Sequence, residues 1–508
     1  MPSSGTPYFE QDNTLDFIDS VAQQRSLVIY VGAGVSIDRT GLQWEQLIDK
    51  LMARRVTNDK VREQLRSDSP LQTASIVKQL YINEAKNPKG ADVQIVRDVH
   101  SCLYTEQWRR ADIARSVMKL VAALRERNRD CYVVTTNYDD CLQQELRTLN
   151  IERGRRKEKK LTLKTFVSKP EVGIDRIDDE VARLIGPDRI VHIHGYVPES
   201  DSRVPRRVTL SEVDYAKAYP LSSRFLEQLF KDNSVLVLGS SLTDPPLLNA
   251  LATTASTGRR TRARFAVMPI QGFVLPLDLQ KDIRENVAAR MRHFDVQVTF
   301  PDYYAEVSQF VTEVRIRAGQ DATPGPLRES PTRHGTRLRG WWSAWESRRK
   351  NDWAHANHED HKLLKTCVDR VTSLLQTEVR DVEVEIWVRW KPDDNGTQLR
   401  LWASSKAAWP DVDARTAKVT NGSEYLSVKT FTHGRVEVHK PDERRPRRYL
   451  SVPIRSFESR REELPTAVIS FAYLLENGDN DPKKDLMVIE KMKVVSKLTE
   501  YGEKIVET

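Results

Sequence analysis

SLVIYVGAGVS, Ser26 to Ser36, is a continuous apolar run followed by two glycines one residue apart and then a hydroxyl. A short run of Val, Ile and Leu reads as a strand buried on both faces. Gly32 and Gly34 end it, because backbone without a Cβ turns sharply and comes close to a ligand. Ser36 is placed to accept a backbone hydrogen bond where a helix starts. Strand, glycine turn and helix N-terminus together suit a pyrophosphate. Two glycines at such a turn are by themselves more often plain turn chemistry, so the rest of the chain has to decide.

Upstream, Leu15, Phe17, Ile18, Val21 and Ala22 fall at helical spacing, which starts the first domain near residue 12. Downstream, Leu42, Trp44, Leu47, Ile48, Leu51 and Met52 mark an amphipathic helix, and residues 57–127 read as a long helical insertion. The second strand, CYVVT from Cys131, leads into Thr136, Asn137, Tyr138, Asp139 and Asp140. Residues just past the carboxyl end of a strand in an open α/β sheet face the ligand crevice, and Asn137 and Asp139 fall there. Capping the following helix is the ordinary alternative for both.

A polar, basic stretch over residues 150–187 reads as an insertion before the third strand, RIVHIHGYV from Arg189. His192 and His194 alternate with Val191 and Ile193, so both imidazoles are expected on one face of that strand. His194, last before Gly195, suits a general base, whereas the deeper His192 reads as a core residue. The fourth strand, SVLVLGSSL from Ser234, again ends in small and hydroxylic residues, Gly239, Ser240 and Ser241, and Asp244 before two prolines starts the next helix. ARFAVMP from Ala263 and HFDVQVTF from His293 supply two more strands, with helices over 279–291 and 303–316. The expected fold is α/β, a Rossmann-like, doubly wound parallel sheet of six strands with a helical insertion. Its crevice gathers Gly32 to Ser36, Asn137 to Asp139, His194 and Gly239 to Ser241.

These residues resemble the sirtuin-like family in an ordered set: GAGVS at 32–36, TTNYD at 135–139, HIHG at 192–195 and GSSL at 239–242. The resemblance spans roughly residues 12–316. It implies NAD binding in a Rossmann-like domain and cleavage of the nicotinamide–ribose bond. Carried over by position, it implies that Gly32, Ala33, Gly34 and Ser36 cradle the pyrophosphate and that Gly239, Ser240 and Ser241 contact the phosphate or the adenosine ribose. It further implies that Asn137 orients the nicotinamide ribose or the attacking water, that Asp139 holds the nicotinamide end, and that His194 is the catalytic histidine. Deacylating sirtuins carry two cysteine pairs that form a zinc ribbon; Cys102, Cys131, Cys141 and Cys367 form no C-x-x-C pair. The TQNID-type motif of deacylases is TTNYD here. The pattern is therefore closer to the sirtuin-related NAD hydrolases that act as effectors in bacterial antiphage defence. Protein deacylation, ADP-ribosyl transfer and nonenzymatic NAD-binding regulation are the competing classes.

The reaction so implied is chemically coherent. Nicotinamide departure builds oxocarbenium character at the ribose, as glycoside cleavage does. An imidazole, which ordinarily titrates near neutrality, can take a proton from a hydroxyl or water. Asn137 can both accept from a nucleophile and donate to the substrate. No metal is expected, since no metal-ligand spacing occurs in this half.

At 508 residues the chain is too long for one ordinary core. Its 39% hydrophobic and 30% charged residues fit a globular protein rather than a disordered one. Neither a membrane-length apolar run nor a secretory leader is present, so a cytoplasmic protein is expected. The net charge of +8 mixes 80 basic with 72 acidic residues, and the basic clusters near Glu152, Gly258 and Asp442 read as solvated loops rather than a nucleic-acid surface.

Residues 319–335 concentrate Gly, Pro and Ser and read as a linker between a domain over 1–318 and another over 336–508. Trp341, Trp342, Trp345 and Trp353 then cluster, reading as packing against the first domain. His355, His358 and His361 could share a helix face as metal ligands but read better as a solvated helix. Helix, alternating strands such as VEVEIWVRW, the strands RYLSVPIR and TAVISFAYL and a terminal helix resemble an α+β GAF-like domain, with one sheet face packed and the other more polar. Trp387, Trp390, Trp402 and Trp409 could line a ligand pocket there, with core packing the simpler role. A sensor or dimerisation role follows from that resemblance. An unidentified activating ligand or phage-derived trigger, and assembly into a homo-oligomer, are the expected partners.

Overall fold

Ser26–Val31 forms β1, the strand on which the larger of two sheets is built. The computed structural model describes residues 7–507 except 68, 86, 106–108, 170, 172, 201–205, 256–261, 270–276, 321–332, 392–396, 408–414, 421–422, 440–446, 456–462 and 476–485. The first half continues through β2 (Asp130–Thr135), β3 (Lys164–Val167), β4 (Arg189–His192), β5 (Gly195–Tyr196), β6 (Arg207–Val208), β7 (Ser234–Leu238), β8 (Arg264–Val267) and β9 (Gln297–Thr299). The parallel sheet runs β3-β4-β2-β1-β7-β8-β9, while β5 and β6 form a separate hairpin.

Leu27, Ile29 and Val31 enter one core with the helices Asp12–Ala22, Asp112–Glu126 and Tyr304–Ala318. Val28 and Tyr30 enter the opposite core with Glu212–Asp232 and Pro245–Ala255. Both faces are thus covered, as continuous apolar strands require. From β1 the chain passes to β2, out to the edge strand β3 and back in to β4, then crosses to β7 on the other side of β1. That reversal puts the switch point between β1 and β7, where an open sheet leaves a crevice beyond its carboxyl ends. The helical insertion over 44–103 packs as its own cluster and includes Tyr138, Val197 and Leu210 from the rim of the sheet.

The sheet has seven strands, not six. The additional strand, β3, lies within the stretch expected to be an insertion and occupies the sheet edge. Its four residues include an exposed lysine and no fully buried position. A short edge strand therefore carries none of the apolar signal by which the others are recognised.

The second half contains β10 (Val379–Trp390), β11 (Gln398–Ser404), β12 (Thr416–Lys418), β13 (Glu437–His439), β14 (Arg448–Ile454) and β15 (Ala467–Leu475). They form an antiparallel sheet in the order β12-β11-β10-β15-β14-β13. The helices His334–Ser347, Trp353–Thr372 and Val488–Val506 cover one face. The tryptophan cluster packs here rather than against the first domain: the Trp345 ring lies 5.3 Å from Trp342 and 5.2 Å from Trp402, and its indole N–H donates to the Ile505 carbonyl at 3.0 Å. Trp390 and Trp402 share that core and Trp387 joins the opposite face, while Trp409 lies outside the described residues. His361 Nδ1 pairs with the Ser404 carbonyl at 2.6 Å. Among the described residues no group of His, Cys, Asp and Glu is arranged to hold a metal.

The second face of this sheet is not polar. Leu426–His433 covers it, and Tyr303 of the first half packs into the same apolar cluster. Charged residues complete the junction: Arg337 pairs with Glu313, Arg455 with Asp112, and the Arg435 guanidinium donates to the Ile37 carbonyl at 2.7 Å. Most of the expected linker lies outside the described residues; its end is already helical, with the buried His334 N–H donating to Glu313 at 3.1 Å. The basic clusters near Gly258 and Asp442 also lie mostly outside the described residues.

Candidate functional site

The glycine turn after β1 interlocks with the turn after β7. The N–H groups of Gly32 and Gly34 donate to the carbonyls of Leu238 and Gly239, both at 2.9 Å. A Cβ on Gly32 would lie 2.5 Å from the Gly239 oxygen, and one on Gly239 would lie 2.5 Å from the Val35 nitrogen. Gly239 also has φ +65°, the left-handed conformation that favours glycine. The glycines therefore let two backbone turns touch. Ser36 does not cap the short helix Ile37–Thr40; its Oγ instead accepts from the Asn137 side-chain amide at 2.6 Å.

Asn137, just past β2, is held on three sides. Its N–H donates to Thr135 Oγ1 at 3.0 Å, its amide to Ser36, and its carbonyl accepts from His192 Nδ1 at 2.9 Å. His192 Nε2 in turn accepts from the Gln143 amide at 2.8 Å, which makes the imidazole the Nδ1–H tautomer. Burial pulls its pKa down to about 4, so the ring is neutral at ordinary pH. His192 thus positions the Asn137 backbone from within the core. Asn137 Oδ1 is buried and has no partner.

His194 does not share a strand face with His192, because β4 ends at His192. It sits in the bend that leads to Gly195 and β5. Its Nε2 lies 2.8 Å from Asp244 Oδ1, and its ring packs on Tyr215 at 4.8 Å between centroids. The other Asp244 oxygen accepts from the Tyr30 hydroxyl at 2.9 Å and the Leu247 N–H at 3.3 Å. Burial opposes charge on Asp244, but the His194 imidazole and Tyr30 hydroxyl outweigh it and hold the carboxyl below its ordinary range. His194 is 3% exposed, and its Nδ1 is buried without a partner. Sequence reasoning assigned Asp244 only to a helix start; its place directly after the hydroxyl-rich end of a strand was the available signal.

Asp139 accepts from the Cys141 N–H at 3.1 Å, at the start of the helix Cys141–Arg155. Burial raises its pKa against the opposing Cys141 and Ser36 groups. Ser240 Oγ accepts from the Leu242 N–H at 3.2 Å, while Ser241 is exposed and bonds Thr243 at 2.6 Å. Ala33 is half-buried on the glycine turn. The segments holding all these residues follow β4, β2, β1 and β7, four consecutive strands of the sheet, so they stand side by side along its carboxyl edge.

Residues 132–291 match a family model described as a SIR2-like domain. Among solved structures, one titled as the crystal structure of a SIR2 homolog–NAD complex aligns at 14% identity over 60% of this chain and 94% of its own, with a TM-score of 0.29, a loose likeness. Comparison with curated proteins finds no match. The chain thus pairs a parallel α/β half, within which residues 132–291 match the SIR2-like model, with a second, antiparallel α+β unit. Its cysteines are free and buried, and among the described residues no helix is long and apolar enough to cross a membrane.

Chemically, the two unpartnered atoms are of one kind. Asn137 Oδ1 is an acceptor, and His194 Nδ1 is one too in the neutral tautomer that carries its proton on Nε2, facing Asp244. A ligand complementary to either atom presents a hydroxyl donor to it, as a ribose or a water molecule does.

Proposed function

We propose that the chain is an NAD+ hydrolase that breaks the nicotinamide–ribose bond to give nicotinamide and ADP-ribose. Residues 1–318 form the NAD-binding and hydrolytic domain, 319–335 the linker, and 336–508 a GAF-like sensor or dimerisation domain. The observation that carries this reading is the pair of buried, unpartnered acceptors, Asn137 Oδ1 and His194 Nδ1, beyond the ends of neighbouring strands. The SIR2-like match, which spans both residues, supports NAD as the nucleotide.

In this reading Asn137 accepts from a ribose hydroxyl or the attacking water, and Ser36 and His192 keep it in place. His194 Nδ1 takes the proton from water as the water oxygen bonds to C1′ and the C1′–nitrogen pair leaves with nicotinamide; the proton then passes to solvent. Asp139 acts through Ser36 and the start of its helix, toward the nicotinamide end. Gly32, Ala33, Gly34 and Ser36 border the pyrophosphate. Because the Gly32 and Gly34 N–H groups are committed to carbonyls at the β7 end, these glycines make room more than they donate. Gly239, Ser240 and Ser241 flank the phosphate or adenosine ribose.

Regulation by the second half has a route in Arg435, which holds the Ile37 carbonyl next to Ser36. A ligand there shifts the enzyme only by binding one arrangement better than the other. The biological setting this reading suggests is antiphage defence in the cytoplasm, with a phage-derived trigger and homo-oligomer assembly releasing NAD destruction. Nicotinamide release by the purified full chain, beside Asn137→Ala, is the test.

A further inference from the structure

We propose that Asp244 is a positioning residue that fixes His194 in the Nε2–H tautomer and so turns its Nδ1 lone pair toward the ligand. The inference deepens the hydrolase reading and rests on it for the identity of the proton donor, but the tautomer itself is independent of any substrate.

Three observations converge. The His194 Nε2–Asp244 Oδ1 distance of 2.8 Å is that of a charge-assisted hydrogen bond. A carboxylate has no proton to give, so the shared hydrogen belongs to Nε2, and in the neutral ring Nδ1 is left as an acceptor. Asp244 is itself fixed from the other side by Tyr30 and the Leu247 N–H, so its oxygen cannot swing away without leaving those donors unpaired. Finally, the imidazole ring is packed on Tyr215, which restricts its rotation, and Nδ1 is the ring nitrogen with no protein partner. The carboxylate and the tilted Tyr215 ring thus select one ring orientation and one tautomer. Once Nδ1 has taken a proton, the same carboxylate stabilises the imidazolium.

The experiment uses the full chain labelled with 15N-histidine. Ring nitrogen shifts of the wild type should show the neutral His194 ring protonated at Nε2 and bare at Nδ1. Asp244→Asn can present its amide N–H to Nε2 and should move the proton to Nδ1, with kcat for nicotinamide release falling about 10²- to 10⁴-fold and KM within about threefold. Asp244→Glu, which keeps the acceptor, should restore the Nε2–H signature and part of kcat. A wild-type ring protonated at Nδ1 overturns the proposal, and so does an Asp244→Asn enzyme with unchanged kcat. If the wild type released no nicotinamide, the hydrolase reading would fail while the ring shifts still decided the role of Asp244.

Discussion

Replacing Gly239 by alanine strikes the contact that holds the two strand-end turns together. The residue has φ +65°, where an L side chain costs about 1–2 kcal/mol. Its new Cβ would meet the Val35 nitrogen at 2.5 Å, the Gly34 carbonyl carbon at 2.8 Å and the Gly34 Cα at 3.0 Å. All are backbone atoms, so relief requires the turns to separate. Separation loses the Gly34 N–H to Gly239 carbonyl bond and strains the Gly32 bond to Leu238, about 1 kcal/mol each. We therefore expect a loss of about 3–4 kcal/mol, a large share of the roughly 5–15 kcal/mol typical of a folded domain. Urea unfolding followed by far-UV circular dichroism measures it. Gly340→Ala is the internal control: this helical glycine has nothing within 4 Å of an added Cβ, and alanine there should stabilise by roughly 0.5–1 kcal/mol. A Gly239→Ala protein within about 1 kcal/mol of wild type would refute the interlocked-turn account.

Arg435→Ala should loosen the short helix Ile37–Thr40 that follows Ser36. Its guanidinium bonds both the Ile37 carbonyl at 2.7 Å and Glu437 at 2.6 Å, and removal should cost about 2 kcal/mol locally, which is about 30-fold faster amide hydrogen exchange over residues 37–42; unchanged exchange would remove this route between the halves. Stability should also fall with acid through His192. Unfolded, this histidine binds its proton near pH 6.5; folded, burial delays binding to about pH 4. The unfolded state therefore holds more protons within that window, and its contribution, complete above 6.5, is lost as pH falls toward 4, about 3 kcal/mol in all. His192→Gln should flatten the slope of urea midpoint against pH between those values, and equal slopes for the two proteins would contradict the assignment.

Legibility followed the range of the interactions. β1 announces itself because it is buried on both faces, and Asn137 and His194 stand out because a strand end is a local feature. β3 did not, since an edge strand with an exposed lysine has no apolar pattern to read. The seating of the glycines was invisible for another reason: what Gly32 and Gly34 touch is Gly239, across the sheet's switch point. Asp244 reaches His194 fifty positions away, which spacing alone does not disclose. In the second half, alternation misled. Arg389 and Arg400 look like solvent-facing positions, yet they are 6% and 5% exposed and lie over the rings of Phe431 and Trp390. Long cationic stems cover apolar surface, so a charged residue in an alternating strand does not guarantee a wet face.

Nicotinamide and ADP-ribose released from NAD+ by the purified full-length chain, wild type beside Asn137→Ala and across a range of protein concentrations, bears most directly on the central claim. The account predicts stoichiometric formation of both products by the wild type and a loss of at least about 10²-fold in the variant, whose fold and NAD binding persist. Turnover that survives the loss of Asn137, or a wild type that leaves NAD+ intact at every concentration, would contradict it.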